Sequence, residues 1–422
     1  MTVADELRRT LDVVFRRESP RIVAALLRHV RDVGTAEQCA QDAFVAALEQ
    51  WPTTGVPDEP GAWLLTAARR RALDLRRREV VQREHAPELA HAARQQQQPG
   101  AGLECDADAV GDDLLRLMFL CCHPVLPPEA RSALTLRLVA GLTTVEIARA
   151  QLVPVTTIAQ RLVRAKRTLA ELGELAAPDA EQRAGRLVSV LEVLYLVFNE
   201  GYTRTAGEHW QREELCEEAL RLGRVLATLL PLEAEVHGLV ALMELQASRS
   251  FARTGPAGEP VLLDDQDRSR WDRAAIRRGL AALEAAARLG SARGPYVLQA
   301  ELAACHARAA VPAATDWRRI VQLYGELLQI APSPIVALNR AVAVGRAFGP
   351  DTALPLVDRL AADGVLADYH LLPSVRGDLL EQLGRSSEAA EEFTRAAAMA
   401  ANQRERELLQ RRALVARRRA GP

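Results

Sequence analysis

The sequence predicts an all-α protein, with two small helical domains followed by a longer array of helices. Apolar residues recur at helical spacing along most of the 422 residues. Ala, Leu and Arg are abundant and aromatic residues make up only 4% of the chain, which favours helices over a sheet. A hydrophobic content of 49% is enough for packed cores, and the length suits about three domains.

The first distinctive element is an amphipathic helix predicted over residues 36–51. One face carries the apolar residues Ala36, Ala40, Phe44 and Leu48. The opposite face carries the acidic and amide residues Glu37, Gln38, Gln41 and Asp42. We expect the apolar face to pack inward and the acidic face to remain at the surface.

A basic helix is predicted after the Pro/Gly-rich turn at 52–61. It begins at Trp63, and residues 69–78 hold six arginines against one aspartate. That density of positive charge suits the phosphates of a nucleic acid. A solvated helix face would explain part of the charge, but not so one-sided a run beside an aromatic anchor.

Residues 81–111 are predicted to form a flexible linker. The segment contains four consecutive glutamines at 95–98 and the sequence Pro-Gly-Ala-Gly at 99–102, with little apolar periodicity. Acidic residues near its end would suit a basic channel or form part of a passive tether. They are Glu104, Asp106, Asp108, Asp112 and Asp113.

A helix-turn-helix is predicted within residues 142–169 of a domain spanning 112–174. Thr143 or Thr144 can cap the first helix, and Val153-Pro154 ends it. In the second helix Ile158 and Leu162 face inward. The outward residues are Thr156, Thr157, Gln160, Arg161 and Arg164, which supply the donors that a recognition helix needs in the major groove. The alternative is an ordinary amphipathic helix pair.

Residues 180–422 are predicted to form degenerate TPR-like helical repeats. Gly384, Ala389, Phe393 and Ala396 follow the small–small–large–small pattern of helices that cross closely. Residues 253–267 are predicted to form a loop and the final helix, 402–419, a cap. Polar clusters in apolar contexts line either a partner groove or buried structural networks: Asn199, Glu200, Tyr202, Asp265, Arg268, Trp271, Asn339 and Arg340.

Several function classes are not supported by the sequence. The six cysteines include no CxxC pair, and the adjacent Cys121 and Cys122 are poorly placed to ligate one ion, so we expect free thiols and no metal. The histidines are isolated and no Gly-rich phosphate loop occurs, so we expect neither catalysis nor a cofactor. The absence of a signal peptide and of any membrane-spanning run predicts a cytoplasmic protein.

The order of acidic helix, Trp-anchored basic helix, linker and helix-turn-helix resembles the extracytoplasmic-function sigma factors of bacterial RNA polymerase. The resemblance covers roughly residues 8–172 and implies a core-binding and −10-reading domain at 1–80. In that family the acidic helix binds the polymerase clamp, which implies contacts from Glu37, Gln41, Asp42 and Phe44. The resemblance assigns the −10 element to Trp63, Arg69, Arg71, Asp74, Arg76 and Arg77. Arg70 stands where the family usually has asparagine.

The same resemblance implies that the helix-turn-helix reads the −35 element of promoter DNA, with Lys166 and Arg167 joining the five outward residues. The segment 119–137 looks like the subgroup with a long TPR-like extension. For that subgroup we expect the extension to regulate the factor through its own DNA-binding domains, through polymerase or through an outside partner. The alternative is a conventional helix-turn-helix regulator with a repeat-type sensor, which would leave the Trp63 helix without a role.

Overall fold

The computed structural model describes residues 3–30, 32–84, 107–151, 153–172, 180–203, 213–255, 261–290, 292–400 and 403–420. Helices and short irregular segments account for these ranges, so the predicted all-α class is confirmed. The α-helices are α1 (Val3–Leu26), α2 (Val33–Thr54), α3 (Pro60–Glu84), α4 (Ala107–Cys121), α5 (Pro128–Leu138), α6 (Thr144–Gln151), α7 (Val155–Glu171), α8 (Ala180–Thr203), α9 (Glu213–Leu229), α10 (Ala234–Ala247), α11 (Arg273–Arg288), α12 (Pro295–Arg308), α13 (Trp317–Ile330), α14 (Pro334–Phe348), α15 (Pro350–Ala362), α16 (Leu371–Gln382), α17 (Ser386–Met399) and α18 (Gln403–Ala420).

The chain divides into two compact units, Met1–Glu200 and Gly201–Pro422. The first unit includes most of α8, whose Glu192 lies 3.6 Å from the guanidinium of Arg131 on α5. The sequence places the start of the last domain at 180, so the structural division falls later, near the end of α8. The helices thus group as α1–α8 and α9–α18.

Helices α1 to α3 pack around a small apolar core in the first unit. Asp32 caps α2 by accepting hydrogen bonds from the amides of Gly34 and Thr35, each at 2.8 Å. Trp51 and Leu64 are almost fully buried where α2 meets α3. Ala36, Ala40 and Phe44 lie on the buried face of α2, as the sequence predicts. Leu48, which the sequence places on the same face, is instead 50% exposed.

The segment between α3 and α4 is shorter at both ends than the linker predicted from the sequence. Helix α3 continues to Glu84 and α4 already begins at Ala107, while residues 85–106 lie outside the described part of the chain. Asp113 is only 5% exposed and accepts a hydrogen bond from Arg28 Nε, so it does not belong to an open acidic segment. This ion pair ties α4 to the segment that follows α1.

The helix-turn-helix comprises α6 and α7, with α5 packed against both. Thr143 and Glu146 form a capping box: the Thr143 amide donates to the glutamate and the Glu146 amide donates to the threonine hydroxyl at 3.2 Å. Gly141, which precedes this box, has φ +72°, a conformation that glycine adopts without strain. Pro154 stands before the first residue of α7, as its position in the sequence predicts.

Helices α9 to α18 form the second unit, in which consecutive helices pack closely at small residues. An added Cβ at Gly377 on α16 would lie 2.9 Å from the Phe393 ring of α17. Ala389, Phe393 and Ala396 are fully buried, in agreement with the repeat pattern read from the sequence. Gly384 is an exception to that pattern: it is exposed in the turn before α17 with φ +75°, and an added Cβ there would meet no atom within 4 Å. The end of the predicted loop is irregular, with short 3-10 turns at Leu263–Asp265 and Arg268–Arg270.

Candidate nucleic-acid interface

The outer face of α7 presents a polar stripe. Thr156, Gln160 and Arg164 are exposed and lie four residues apart, so they share one side of the helix. The opposite side is buried: Ile158 is 0% and Leu162 5% exposed, in agreement with the sequence. The stripe therefore offers hydroxyl, amide and guanidinium groups to a partner while its scaffold remains packed.

The other predicted recognition residues of α7 are engaged within the protein. Arg161 Nη1 donates to Gln151 Oε1 at 3.2 Å, across the turn of the helix-turn-helix. Arg167 pairs with Glu171 one turn further along α7, with its Nε 2.9 Å from the carboxylate. Thr157 is half-buried. Arg161 thus stabilises the turn of the helix-turn-helix in this structure. Fewer residues of α7 are therefore open to a partner than the sequence predicts.

The basic face of α3 lies opposite a buried strip of Leu64, Ala68 and Ala72. Of the residues predicted for the −10 element, Arg71, Asp74, Arg76 and Arg77 are exposed, whereas Trp63 and Arg69 are half-buried. The Trp63 ring packs edge-on against Trp51, with 5.5 Å between the ring centroids. This contact holds the start of α3 on α2 and leaves the arginines at the surface.

Two of the exposed α3 residues already have ionic partners. Arg71 Nε lies 2.8 Å from Asp42 Oδ2 on α2, and this hydrogen bond raises the pKa of the arginine. Arg77 lies 3.9 Å from Asp74, one turn before it on α3. Two residues predicted to bind different partners, Arg71 and Asp42, therefore bind each other in this structure.

Glu37 on α2 does not occupy the open face that the sequence predicts. Phe44 packs inward, as the apolar face of the predicted helix requires, and so is not at the open surface that the implied clamp contact needs. Phe44 is 7% exposed and its ring contacts Phe15 at 4.8 Å, because it belongs to the core between α1 and α2. Glu37 is 6% exposed and accepts a hydrogen bond from Arg137 Nε on α5 at 2.7 Å. Its second carboxylate oxygen is paired with Lys166 on α7.

The Glu37 contact also corrects the prediction for Lys166. Its ammonium group is held against α2 rather than presented beside Arg164 on the recognition stripe. Gln41 donates to the same carboxylate at 2.8 Å and is half-buried. We call Glu37, Arg137 and Lys166 the Glu37 cluster.

The adjacent cysteines at the end of α4, Cys121 and Cys122, form part of the core. Cys121 is fully buried, and the Cys122 thiol lies 3.4 Å from the Thr135 hydroxyl of α5. Burial raises the pKa of Cys122 to about 12, so this thiol stays protonated near neutral pH. Packing between α4 and α5 explains this pair of residues.

Of the predicted groove residues, Arg268 and Trp271 contact each other, with the Arg268 guanidinium 5.1 Å from the Trp271 ring centroid. Tyr202, Arg268 and Trp271 are buried, whereas Asp265 and Asn339 are exposed. Arg340 is half-buried on α14, and its Nε is buried without a hydrogen-bond partner. Asn199 and Glu200 fall at the end of the first unit.

Three basic residues that the sequence did not single out for this region do lie near its predicted members. Arg249 and Arg253 contact Tyr202, and His306 contributes its backbone carbonyl to Arg268. The sequence separations between these positions follow no motif, so only the fold brings them together.

Three family models match the chain. Sigma-70 region 2 matches residues 14–80, which include α2 and most of α3, and Sigma-70 region 4 matches 116–169, which include α5, α6 and most of α7. A family of unknown function, DUF6596, matches residues 186–287. The two sigma models fall on the basic helix and on the helix-turn-helix, and together they define the class of a bacterial transcription initiation factor.

The relatives specify the family. The ECF RNA polymerase sigma factor SigK of Mycobacterium bovis (strain BCG / Pasteur 1173P2) is 31% identical over 155 residues, 35% of this chain and 78% of that protein. Uncharacterized protein R00370 of Rhizobium meliloti (strain 1021) is 42% identical over 393 residues, 93% of this chain and 92% of that protein. The chain belongs to the extracytoplasmic-function RNA polymerase sigma factors. Within the described ranges, no helix is long and apolar enough to cross a membrane.

Proposed function

We propose that this sigma factor reads the −35 element of its promoters through Thr156, Gln160 and Arg164. The exposed stripe on α7 is the observation that carries this assignment. Arg donates to guanine and Gln pairs with adenine in the major groove, and each such contact contributes about 1–3 kcal/mol of discrimination. Thr156 at the start of α7 is placed for a phosphate or a thymine methyl group.

The −10 element is assigned to the exposed face of α3, with Arg71, Arg76 and Arg77 as its cationic members. Guanidinium groups both neutralise phosphates and stack on unpaired bases, which a melted promoter strand presents. Trp63 supports this face from below through Trp51. Core polymerase is assigned to the neighbouring surface of α2, through Gln41 and Asp42.

The Glu37 cluster implies that the promoter-bound state is more open than the structure described here. The −10 and −35 elements lie about 85 Å apart along B-form DNA, at 3.4 Å per base pair. A direct contact between Glu37 of α2 and Lys166 of α7 holds the two DNA-reading domains together. We therefore propose that this contact separates when polymerase and promoter bind, and that both events take place in the cytoplasm.

The test is run-off transcription with purified core polymerase on the protein's own upstream DNA. Gln160→Ala and Arg164→Ala should each lower the yield of a discrete transcript by about 10-fold or more, since each removes a base contact. Arg277→Ala removes one exposed arginine from α11 of the other unit and should leave the yield unchanged. Unaltered transcription by both α7 variants would refute the assignment of the stripe.

A conventional regulator with a sensor domain remains the competing function. It would bind its operator alone, whereas a sigma factor needs core polymerase for initiation at a fixed start site. A mobility shift without polymerase, combined with no transcript in its presence, would support the regulator.

We further propose that the C-terminal unit regulates initiation. Its support is a large helical unit that follows the matches to Sigma-70 regions 2 and 4 and lies outside both of them. Removal of residues 204–422 retains α8, whose Glu192 lies near Arg131 of the first unit. The truncated protein should differ from the full chain in transcript yield or promoter choice. Equality of both quantities, with a native helix content, would eliminate this regulatory role.

A further inference from the structure

Three arginines converge on one region of the C-terminal unit. Arg249 and Arg253 flank the short 3-10 turn Ser250–Ala252, and Arg268 begins the turn Arg268–Arg270. The Asp272 amide donates to the Ser248 carbonyl at 2.7 Å, which holds the two turns side by side. We call Arg249, Arg253 and Arg268 the arginine cluster.

Arg249 and Arg253 share Tyr202 as a platform. Arg249 Nε donates to the phenol oxygen at 2.9 Å, and Arg253 Nη1 donates to the Tyr202 carbonyl at 2.7 Å. The Arg253 guanidinium also lies over the tyrosine ring, 3.9 Å from its centroid. Both arginines are half-buried, so solvent reaches them while the ring fixes their positions.

Arg268 forms the buried end of the cluster. It is 4% exposed, and its Nη1 donates to the carbonyls of His306 and Ala309 at 2.9 and 2.7 Å, where α12 ends. These bonds explain part of its structural role. Its Nε, however, is buried without a hydrogen-bond partner, as is Nε1 of Trp271, whose ring lies 5.1 Å from the guanidinium.

The positive charges of the arginine cluster are poorly compensated. Among the described residues, none of its three arginines is within salt-bridge distance of a carboxylate, and nearby Asp264 is itself paired with Arg346 on α14. Burial, the charge of Arg249 and the charge of Arg268 lower the pKa of His306 to about 4. Burial and the neighbouring Arg249 likewise lower the pKa of Arg253.

We propose that the arginine cluster binds a phosphate group. Buried like charges are costly unless an anion neutralises them, and a dianion offsets three guanidiniums better than a carboxylate does. The two half-buried arginines would meet the phosphate first, and the unpaired donors belong to Arg268 and Trp271 at the adjacent 3-10 turn. The bound group is a free phosphate or the phosphate of an organic monoester.

Phe251 favours an organic monoester over inorganic phosphate as the ligand. This residue lies between Arg249 and Arg253 in the sequence, within the 3-10 turn Ser250–Ala252. Its side chain is 67% exposed, an unusual position for a phenyl ring. A phosphate ester with a planar group can use both this ring and the guanidiniums. Inorganic phosphate can use only the guanidiniums.

The test is calorimetric titration of the full-length protein at constant ionic strength with three probes. Inorganic phosphate supplies the dianion alone, phenyl phosphate supplies the dianion with a ring, and benzenesulfonate supplies the ring with one charge. We expect both phosphates to bind, phenyl phosphate at least 10-fold more tightly, and benzenesulfonate to bind at least 10-fold more weakly than phenyl phosphate. Equal affinities for the two phosphates identify free phosphate as the ligand.

Variants locate the site. Arg249→Gln and Arg253→Gln should each weaken phenyl phosphate binding by 10-fold or more, while Arg277→Gln, with the same loss of charge on exposed α11, should bind as the wild type does. Absence of binding by either phosphate to the wild type at millimolar concentration overturns the proposal, as does wild-type affinity in both cluster variants. The titration needs no polymerase, so its outcome is separate from that of the transcription assay.

Discussion

The Glu37 cluster and the arginine cluster are both groups of buried charges, but their charges are balanced differently. In the Glu37 cluster one carboxylate at 6% exposure is shared by Arg137 and Lys166, and Gln41 adds a hydrogen bond. In the arginine cluster, Arg268 is buried to a similar degree and makes its described hydrogen bonds to neutral oxygen atoms. Each cation of the Glu37 cluster thus has a carboxylate partner within the chain, whereas Arg268 has none among the described residues.

This difference separates a structural contact from a candidate ligand site. A charge that has its partner within the fold loses that partner only when the fold opens, as we propose for α2 and α7. A charge without one is available to an outside anion in the folded state. Glu244 is a second example of the first kind: it is 1% exposed and is shared by Arg224 and Arg278 on the two flanking helices.

The largest expected effect comes from removing the carboxylate of the Glu37 cluster. Glu37→Gln leaves Arg137 and Lys166 without their anion, and we expect a loss of about 3 kcal/mol in the free energy of unfolding. Urea unfolding of the full-length protein measures it. Glu49→Gln, at an exposed position of the same helix, is the matched control, and equal stability of the two variants would contradict the comparison.

His306 should make the C-terminal unit sensitive to acid. Its folded pKa of about 4 lies below the ordinary value of 6.5, so between these values the unfolded chain binds more protons. This contribution to stability is present above pH 6.5 and declines as the pH falls toward 4, by at most about 3 kcal/mol. His306→Gln should flatten this part of the pH dependence measured by thermal unfolding. An unchanged slope would show that neither burial nor the charges of Arg249 and Arg268 disfavour the protonated ring.

Tyr202→Phe tests the platform of the arginine cluster with a smaller change. The substitution removes the phenol oxygen that accepts from Arg249 and keeps the ring under Arg253. We expect a loss of about 1 kcal/mol in the free energy of unfolding and weaker phenyl phosphate binding. Preserved affinity would mean that Arg249 needs no platform to bind the anion.

The smallest effect is expected at an exposed ion pair outside both clusters. Arg385 and Glu388 form a bidentate contact at the start of α17, with each side chain close to half exposed. Solvent screens this pair, so Glu388→Gln should leave the unfolding midpoint unchanged within error. A clear shift would show that exposure is a poor guide to the contribution of a charge in this protein.

Local patterns in the sequence predicted most of the fold. The helical periodicity, the capping threonine with Glu146 and the Val-Pro break specify α6 and α7 because caps and breaks act within a few residues. The inward Ile158 and Leu162 follow from the same periodicity. The small–large pattern at Ala389 and Phe393 likewise marks a helix crossing that the structure contains.

The sequence could not predict which charged residues would meet. Glu37 and Lys166 are far apart in the chain, and periodicity alone places Glu37 on an outer face of an isolated helix. Only the packing of α2 against α7 turns that face into a buried contact. Arg249, Arg268 and His306 lie in different elements for the same reason, and no spacing rule joins them.

The reactivity of the buried thiols in the first unit can report how often this unit opens. Cys39 lies on α2, Cys121 ends α4 and Cys122 follows it, and all three are at most 1% exposed. With a pKa of about 12, on the order of 10⁻⁵ of the Cys122 thiol is ionised at pH 7, so alkylating reagents must wait for a structural opening. Cys216 and Cys305 are partly exposed and should react earlier. Mass spectrometry of the alkylated chain would thus record how often α2 and α4 become accessible.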